Sequence, residues 1–194
     1  MEKQIEKFRQ RLIAEGNAPE KVPRWAFDAD GGLTISIPDL KCPDISELRG
    51  LPVTSFGSKS PSLHDLSPLA GAPLRMVGLG YPCGVSDLSP LRCAPLERLS
   101  IEHTPVADIS MLRDMPLRGV FLEQTPVTDV SVLADIPTLE EVQLPPGAKN
   151  VEVLRKHPRI AFISYSVFMN TGRPTRTATE FWKEFDAKKA AAPK

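Results

Sequence analysis

Apolar residues in the middle of the chain fall on a fixed beat. Leu96, Leu99 and Ile101 are answered by Leu117, Val120 and Leu122, and again by Leu139, Val142 and Leu144. Each set is spaced L-x-x-L-x-L, and its end alternates as a strand does, with successive side chains on opposite faces. The spacing predicts one short strand per unit, its apolar side turned inward. A turn follows, "HTPV" or "QTPV", in which Pro105 and Pro126 stop a helix from beginning early. Then "DISML" or "DLSPL" makes one tight turn on the far side and returns Leu or Met to the core. An Asp or Ser oxygen can accept the orphan backbone N–H groups at the start of such a turn.

The whole phrase repeats. Asp44, Asp65, Asp87, Asp108 and Asp129 are 21, 22, 21 and 21 residues apart, and a degenerate sixth copy, "NVEVL", starts at Asn150. An apolar residue followed by proline recurs in step: Leu51-Pro52, Ala72-Pro73, Ala94-Pro95, Met115-Pro116 and Ile136-Pro137. Proline holds its predecessor extended and leads the chain into the next strand. His157-Pro158 breaks the apolar rule, as suits a terminal unit. A period of this length means stacked units, none of which can bury its apolar face alone. Leu33 to Ile37 ("LTISI") reads as the first strand, with Gly32 an irregularity before it. Seven parallel strands would make a sheet about 30 Å long.

An open stack needs lids. At the front, Ile5, Phe8, Leu12 and Ile13 form a stripe on a charged helix ended by Gly16-Asn17. At the back, Thr177 and Glu180 make a capping-box pattern, followed by Phe181, Trp182 and Phe185 as the apolar face of a closing helix. The expected division is a capping helix and linker over 1–30, a solenoid over 31–166, and a cap helix with a flexible tail over 167–194.

"VSDLSPLRCAPLERLSI" resembles the leucine-rich repeats of large bacterial proteins of the planctomycete type, which often stand beside serine/threonine protein kinases. "NVEVLRKHPRIAFISYS" followed by "ATEFWKEFDAKK" is similar to the way those arrays close. The resemblance covers roughly residues 40 to 190, and the "D-L-S-P-L" turn is also similar to that of internalin-type repeats, which bind proteins. It implies a strand-rich α/β leucine-rich-repeat solenoid: a parallel concave sheet of about seven strands, short turns or 3-10 segments on the convex side, and helical caps at both ends. The chain shows no kinase segment, so phosphoryl transfer is not expected of it, and its repeats are less uniform than those of the family.

Composition narrows the chemistry. Lys plus Arg equals Asp plus Glu at 24 each, so no global field draws the chain to nucleic acid or anionic lipid. No apolar run approaches the roughly 20 residues of a membrane span. The charged start "MEKQIEKFRQRL" is unlike a secretory leader, and Cys42, Cys83 and Cys93 share no metal-type spacing, which together suggest a reduced, cytoplasmic setting. "GLGYPCG" (78–84) lacks the following helix that a phosphate loop requires. His64, His103 and His157 occupy three different repeat positions and cannot cluster. Cys42 takes an inward position, and Cys93 falls on the turn where Gly50 and Gly71 stand. The stacked Asp residues could in principle hold calcium, but each already has a turn to cap. No catalytic set, metal site or cofactor is expected.

The columns between the inward ones should face the open concave sheet. They read Met76, Arg98, Gly119, Glu141, Phe162; then Gly78, Ser100, Phe121, Gln143, Ser164; then Gly80, Glu102, Glu123, Pro145, Ser166; with Tyr81, His103 and Gln124 beyond. Aromatic residues and Arg favour binding hot spots. The candidate interface is therefore Met76, Arg98, Glu102, His103, Phe121, Glu123, Gln124, Glu141 and Gln143. Around Arg98, Glu102, Phe121 and Glu123 it would dock another protein through a basic side chain and an apolar anchor; in the alternative, Arg98 pairs Glu102 within the chain. The expected function is a non-catalytic protein-interaction module, a scaffold or sensor in bacterial signalling. Recognition of a glycan or cell-wall fragment is the alternative.

Overall fold

Among the described residues, eight strands lie side by side in chain order in a single sheet: β1 (Arg24–Phe27), β2 (Leu33–Ile37), β3 (Val53–Ser58), β4 (Met76–Leu79), β5 (Arg98–Ser100), β6 (Gly119–Phe121), β7 (Glu141–Gln143) and β8 (Phe162–Ser164). The computed structural model describes residues 1–167 and 172–191. The expected tail therefore lies partly outside the described residues, at 192–194.

From β2 to β8 every pairing is parallel, and from β4 onward the repeats stack in strict register. Val77, Leu99, Val120, Val142 and Ile163 sit one above another at the centre of the strands, all buried. This column is the interior that the apolar beat predicts. On the far side each repeat makes a short 3-10 turn, at Ser46–Leu48, Ser67–Leu69, Ser89–Leu91, Ser110–Asp114 and Ser131–Asp135, with Val151–Lys156 in the last unit. The Asp ahead of each turn accepts the backbone N–H of the Ser two residues on, at 2.7 to 2.9 Å. Ile45, Leu66, Leu88, Ile109 and Val130, held between the two, plug into the core. At the other corner Thr104 and Thr125 are buried, and their hydroxyls donate back to the carbonyls of Ile101 (2.7 Å) and Leu122 (2.8 Å). The threonine of "TP" thus closes the turn, and its proline keeps it from propagating.

Both ends are closed by helices. In α1 (Glu2–Ala14) Ile5, Phe8 and Leu12 are buried. Arg11 clamps the helix to the first turn, its Nε 2.8 Å from Glu47 Oε1, and this pairing raises the guanidinium pKa while lowering that of Glu47. Gly16 adopts φ +91°, and the Asn17 side chain donates to the carbonyls of Leu12 (2.9 Å) and Lys41 (2.8 Å), tying the helix exit to the solenoid. In α2 (Ala178–Ala191) the capping box is present: the Thr177 N–H donates to Glu180 Oε2 at 2.9 Å, and the Glu180 N–H donates to Thr177 Oγ1 at 3.3 Å. Phe181 is buried against the last repeat, with Trp182 and Phe185 half-buried beside it.

β1 is an addition that the repeat pattern does not foretell. It pairs antiparallel with β2 and extends the sheet outward by one strand. Three of its four residues are exposed and only Trp25 is half-buried, so it carries no apolar alternation to read. Gly32, irregular in sequence, has a local cause: a Cβ there would lie 2.3 Å from Asp28 Oδ2 and 2.6 Å from Thr54 Cγ2.

Candidate protein-binding face

The register places the predicted columns on the sheet face opposite the core. One runs Ser55, Met76, Arg98, Gly119, Glu141, Phe162, and the other runs Gly57, Gly78, Ser100, Phe121, Gln143, Ser164. The two halves of this face differ.

The half over β5 to β8 is covered by its own side chains. Phe121, expected on a solvated surface, is only 3% exposed. The Arg98 guanidinium lies 4.3 Å from its ring centroid, and Gly119 makes room, since a Cβ there would come within 3.0 Å of the ring. Arg98 does not pair with Glu102. Its Nη1 donates to Glu141 Oε2 at 2.9 Å and its Nη2 to the Gly172 carbonyl at 3.2 Å. Arg173 reaches the same carboxylate, Nε to Oε1 at 2.8 Å, and stands 4.6 Å above the Phe162 ring. Glu141 thus bridges two arginines, each stacked on a phenylalanine. Phe121 is unavailable as a protruding anchor because cation–π stacking and the Gly172 contact hold Arg98 over it.

Gln143 is also enclosed, with no exposed surface; its Nε2 donates to Glu123 Oε2 at 2.5 Å, while Oε1 has no partner. Glu102 is held separately by the Ser100 hydroxyl at 3.0 Å. The backbone brings Glu102 and Glu123 onto adjacent strand ends, as the His103 N–H donation to the Glu123 carbonyl at 2.8 Å shows.

The half over β2 to β5 is open. Gly57 and Gly78 leave bare backbone flanked by Ser36 and Ser100, and this floor underlies a groove of about 390 Å³ with Lys59 and Glu102 at its rim. A Cβ on Gly78 would touch nothing within 4 Å, so the space above it is free. Met76 is 48% exposed on one side; Tyr81 is 73% exposed on the other, its ring edge-on to His103 at 6.3 Å. His103 and Gln124 are exposed, each at positive φ in its strand-exit turn. A larger hollow of about 480 Å³ lies between the end of β8 and α2, lined by Tyr165, Phe181 and Phe185. It lies at the far end of these columns, with Ser164 on its wall, and its Arg176 and Lys189 are already paired with Glu184 and Glu152.

The other chemical candidates have structural positions. Cys42 is buried, which pushes its thiol up to about 12, and burial raises Cys83 as well. His64 and His157 each hydrogen-bond a backbone carbonyl of a neighbouring repeat, Gly84 and Ile136, both at 2.8 Å. Gly84 is glycine because a Cβ would lie 2.4 Å from the His64 ring. "GLGYPCG" leaves β4 into a loop, and the next helical element is the three-residue turn at Ser89–Leu91. Among the described residues, no three His, Cys, Asp or Glu side chains converge as metal ligands, and no helix is long and apolar enough to cross a membrane.

The solved structures that this geometry resembles are internalins of Listeria monocytogenes. Internalin InlF superposes with a TM-score of 0.55 at 22% identity, over 62% of this chain and 37% of that one. Internalin C2 gives a TM-score of 0.54 at 23% identity, over 66% of this chain and 68% of that one. The fold is a leucine-rich-repeat solenoid. The chain matches just over a third of the length of InlF, and these likenesses establish the repeat architecture. No protein-family model and no curated protein sequence matches the chain.

Within this solenoid the column reading found the face but missed its divide. Ser36, Gly57 and Lys59 lie one and two strands before the first column residue considered, and extending the columns backward reaches them. The closure by Gly172 and Arg173 leaves no sequence signal, because it joins positions 74 and 32 residues apart.

Proposed function

We propose that this leucine-rich-repeat chain is a non-catalytic protein-interaction module that docks its partner on the open half of the concave sheet. The observation that carries this reading is the exposure of Met76 at the start of β4 and Tyr81 just past its end, with Gly78 of the bare floor between them in the chain. Large exposed apolar side chains flanking a groove supply the burial that drives association, and a floor without side chains lets a partner's backbone approach closely. Of the residues expected at the interface, Glu102 lines this groove, Met76 opens β4 and His103 follows β5, while Glu123 and Gln124 lie one strand further on, past the end of β6. Arg98, Phe121, Glu141 and Gln143 shape its closed edge.

A role as scaffold or sensor in bacterial signalling, in the cytoplasm, belongs to the same proposal and is supported by the resemblance of the repeats to arrays that stand beside kinases. Glycan recognition has less support: Tyr81 is a single exposed ring just past the end of β4, whereas Phe121 and Phe162 lie beneath arginines.

The test uses a partner isolated from the source cell on the full chain. Met76→Glu and Tyr81→Glu are each expected to weaken its binding at least tenfold. Val153→Glu, at an exposed apolar residue of the convex side, serves as control and should leave binding unchanged. Loss of binding in the Val153 variant alone would move the interface to the convex face.

A further inference from the structure

We propose that β1 pairs antiparallel with the β1 of a second copy of this chain, centred on Ala26, so that two solenoids join through one continuous sheet. The two edges of the sheet end differently. Beyond β8 the chain turns back on itself: the Ile163 N–H donates to the Arg176 carbonyl at 3.1 Å and the Ala178 N–H to the Ala161 carbonyl at 2.9 Å, and α2 follows. Beyond β1 no strand pairs among the described residues. α1 spends its hydrogen bonds on the first repeat, from Arg11 Nη2 to the Asp44 carbonyl at 2.7 Å and from the Asn17 amide to that of Lys41 at 2.8 Å. It leaves Arg24, Ala26 and Phe27 exposed.

The backbone of β1 has an open side. Next to β2, the Asp28 N–H donates to the Gly32 carbonyl at 2.9 Å, whereas the Leu33 N–H turns the other way, to the Pro52 carbonyl at 2.8 Å. Bonded and non-bonded pairs alternate in an antiparallel ladder. Ala26 with Thr34 and Arg24 with Ser36 are therefore the bonded rungs, and Trp25 and Phe27 direct their N–H and carbonyl groups away from β2. Such an edge is a template for another strand. Both of its outward-bonding residues are aromatic, and Phe27 is 38% exposed.

The segment from Arg24 to Asp28 complements itself. Centring on Ala26 sets Trp25 opposite Phe27 of the second copy and Arg24 opposite Asp28 of the second copy, and the twofold repeats both pairs. Trp25 and Phe27 then satisfy one another's outward N–H and carbonyl groups. Their side chains share the sheet face of Ile35 and Leu33, both buried, so the rings meet along the core side as a cross-strand aromatic pair. Arg24 and Asp28 share the other face, both exposed and neither in an ion pair among the described residues. The Asp28 carboxylate is held in place by the N–H groups of Gly32 at 2.7 Å and Asp30 at 3.0 Å, neutral donors that leave its charge intact. Centring on Trp25 instead would set Pro23, which has no N–H, opposite Phe27. The twofold runs perpendicular to the sheet, so both concave faces point the same way with their open halves adjacent.

Sedimentation equilibrium of the full chain tests the pairing. A four-residue edge makes a small interface, so the mass is expected to rise toward twice that of the monomer as concentration increases. Hydrogen exchange at the Trp25 and Phe27 amides should slow over the same range, while that of Ala26, already bonded to β2, stays unchanged. Phe27→Pro keeps every rung to β2, because this N–H points outward, and should weaken self-association at least tenfold. Arg24→Glu should weaken it at least threefold. In a Cys93→Gly background, Ala26→Cys should link two copies in oxidised glutathione, since like residues face each other only at the centre; Arg24→Cys should not. A chain that stays monomeric, self-association unchanged by Phe27→Pro, or Arg24→Cys linking as readily as Ala26→Cys overturns the proposal. Protection of Trp25 and Phe27 that arises only on adding the isolated partner would assign the edge to a strand of that partner, and overturns self-pairing as well.

Discussion

Cys93 is one side chain doing a glycine's work. Its φ is +69°, beside +74° at Gly50 and +77° at Gly71 in the two preceding repeats. A side chain in this left-handed region crowds the following carbonyl, whereas glycine has no such penalty. Cys93→Gly is therefore expected to stabilise the chain by about 0.5–1 kcal/mol, after the larger backbone entropy of unfolded glycine is set against the relieved strain. Thermal unfolding checks it, with a rise of about 1–3 °C. The aspartates of the convex turns make a second prediction. In Asp65, Asp87, Asp108 and Asp129 the carboxyl pKa lies below its usual value, because the N–H and then the hydroxyl of the following serine favour the ionised form. A group with a lowered folded pKa stabilises above its unfolded value, near 3.9 for Asp, and that contribution disappears as pH falls through the lower folded value. Stability should accordingly drop below about pH 4, and Asp87→Asn should flatten that drop in a denaturant series against pH. At this scale the sequence was informative where a side chain answers to its own repeat. The capping role of the Asp column and the turn position of Cys93 could be read directly. Phe121 was misplaced because its cover comes from the Arg98 rotamer and from Gly172, neither of which the repeat encodes.

The two helices were legible as lids because each carries its own apolar stripe and stop signal, and each does cover an end of the stack. The α2 lid is held at one face by aromatic packing and at its rim by ion pairs: Arg155 lies 4.6 Å from the Trp182 ring and donates to Asp186, with Nη1 at 3.0 Å from Oδ2. The rim pairs are solvent-exposed and contribute little individually. The packing therefore dominates, and Phe181→Ala should cost about 3 kcal/mol, while Asp186→Ala should cost far less. Denaturant unfolding of the two variants distinguishes them; equal losses would mean that the ion pair holds the end as strongly as the ring does. β1 was illegible for the opposite reason. It is held by backbone pairing to β2 and by the Asp28 carboxylate, which accepts the Gly32 N–H at 2.7 Å, so its side chains leave no periodic trace.

Across the whole molecule the strand order β1 to β8 follows the chain, so strand pairing joins each repeat to the repeat before and the repeat after it, while the Arg98 side chain reaches further, to Glu141 and Gly172. Stability in such a stack is a sum of unit terms and nearest-neighbour interfaces rather than the property of one closed core. Damage should then spread outward from its source. Leu99, buried between Val77 and Val120, belongs to the interfaces on both sides of β5. Leu99→Ala is expected to cost about 2–5 kcal/mol, and the loss of amide protection in hydrogen exchange should be greatest in β4, β5 and β6 and fade toward β2 and β8. Phe181→Ala should show the reverse gradient, with β8 opening first and β2 least affected. Equal loss in every strand for both variants would show that the solenoid opens as one unit. The groove floor at Gly57 and Gly78 lies in β3 and β4, several repeats from α2. The same gradient therefore predicts that loosening the C-terminal lid spares the open binding half, whereas a substitution at Leu99 disturbs it.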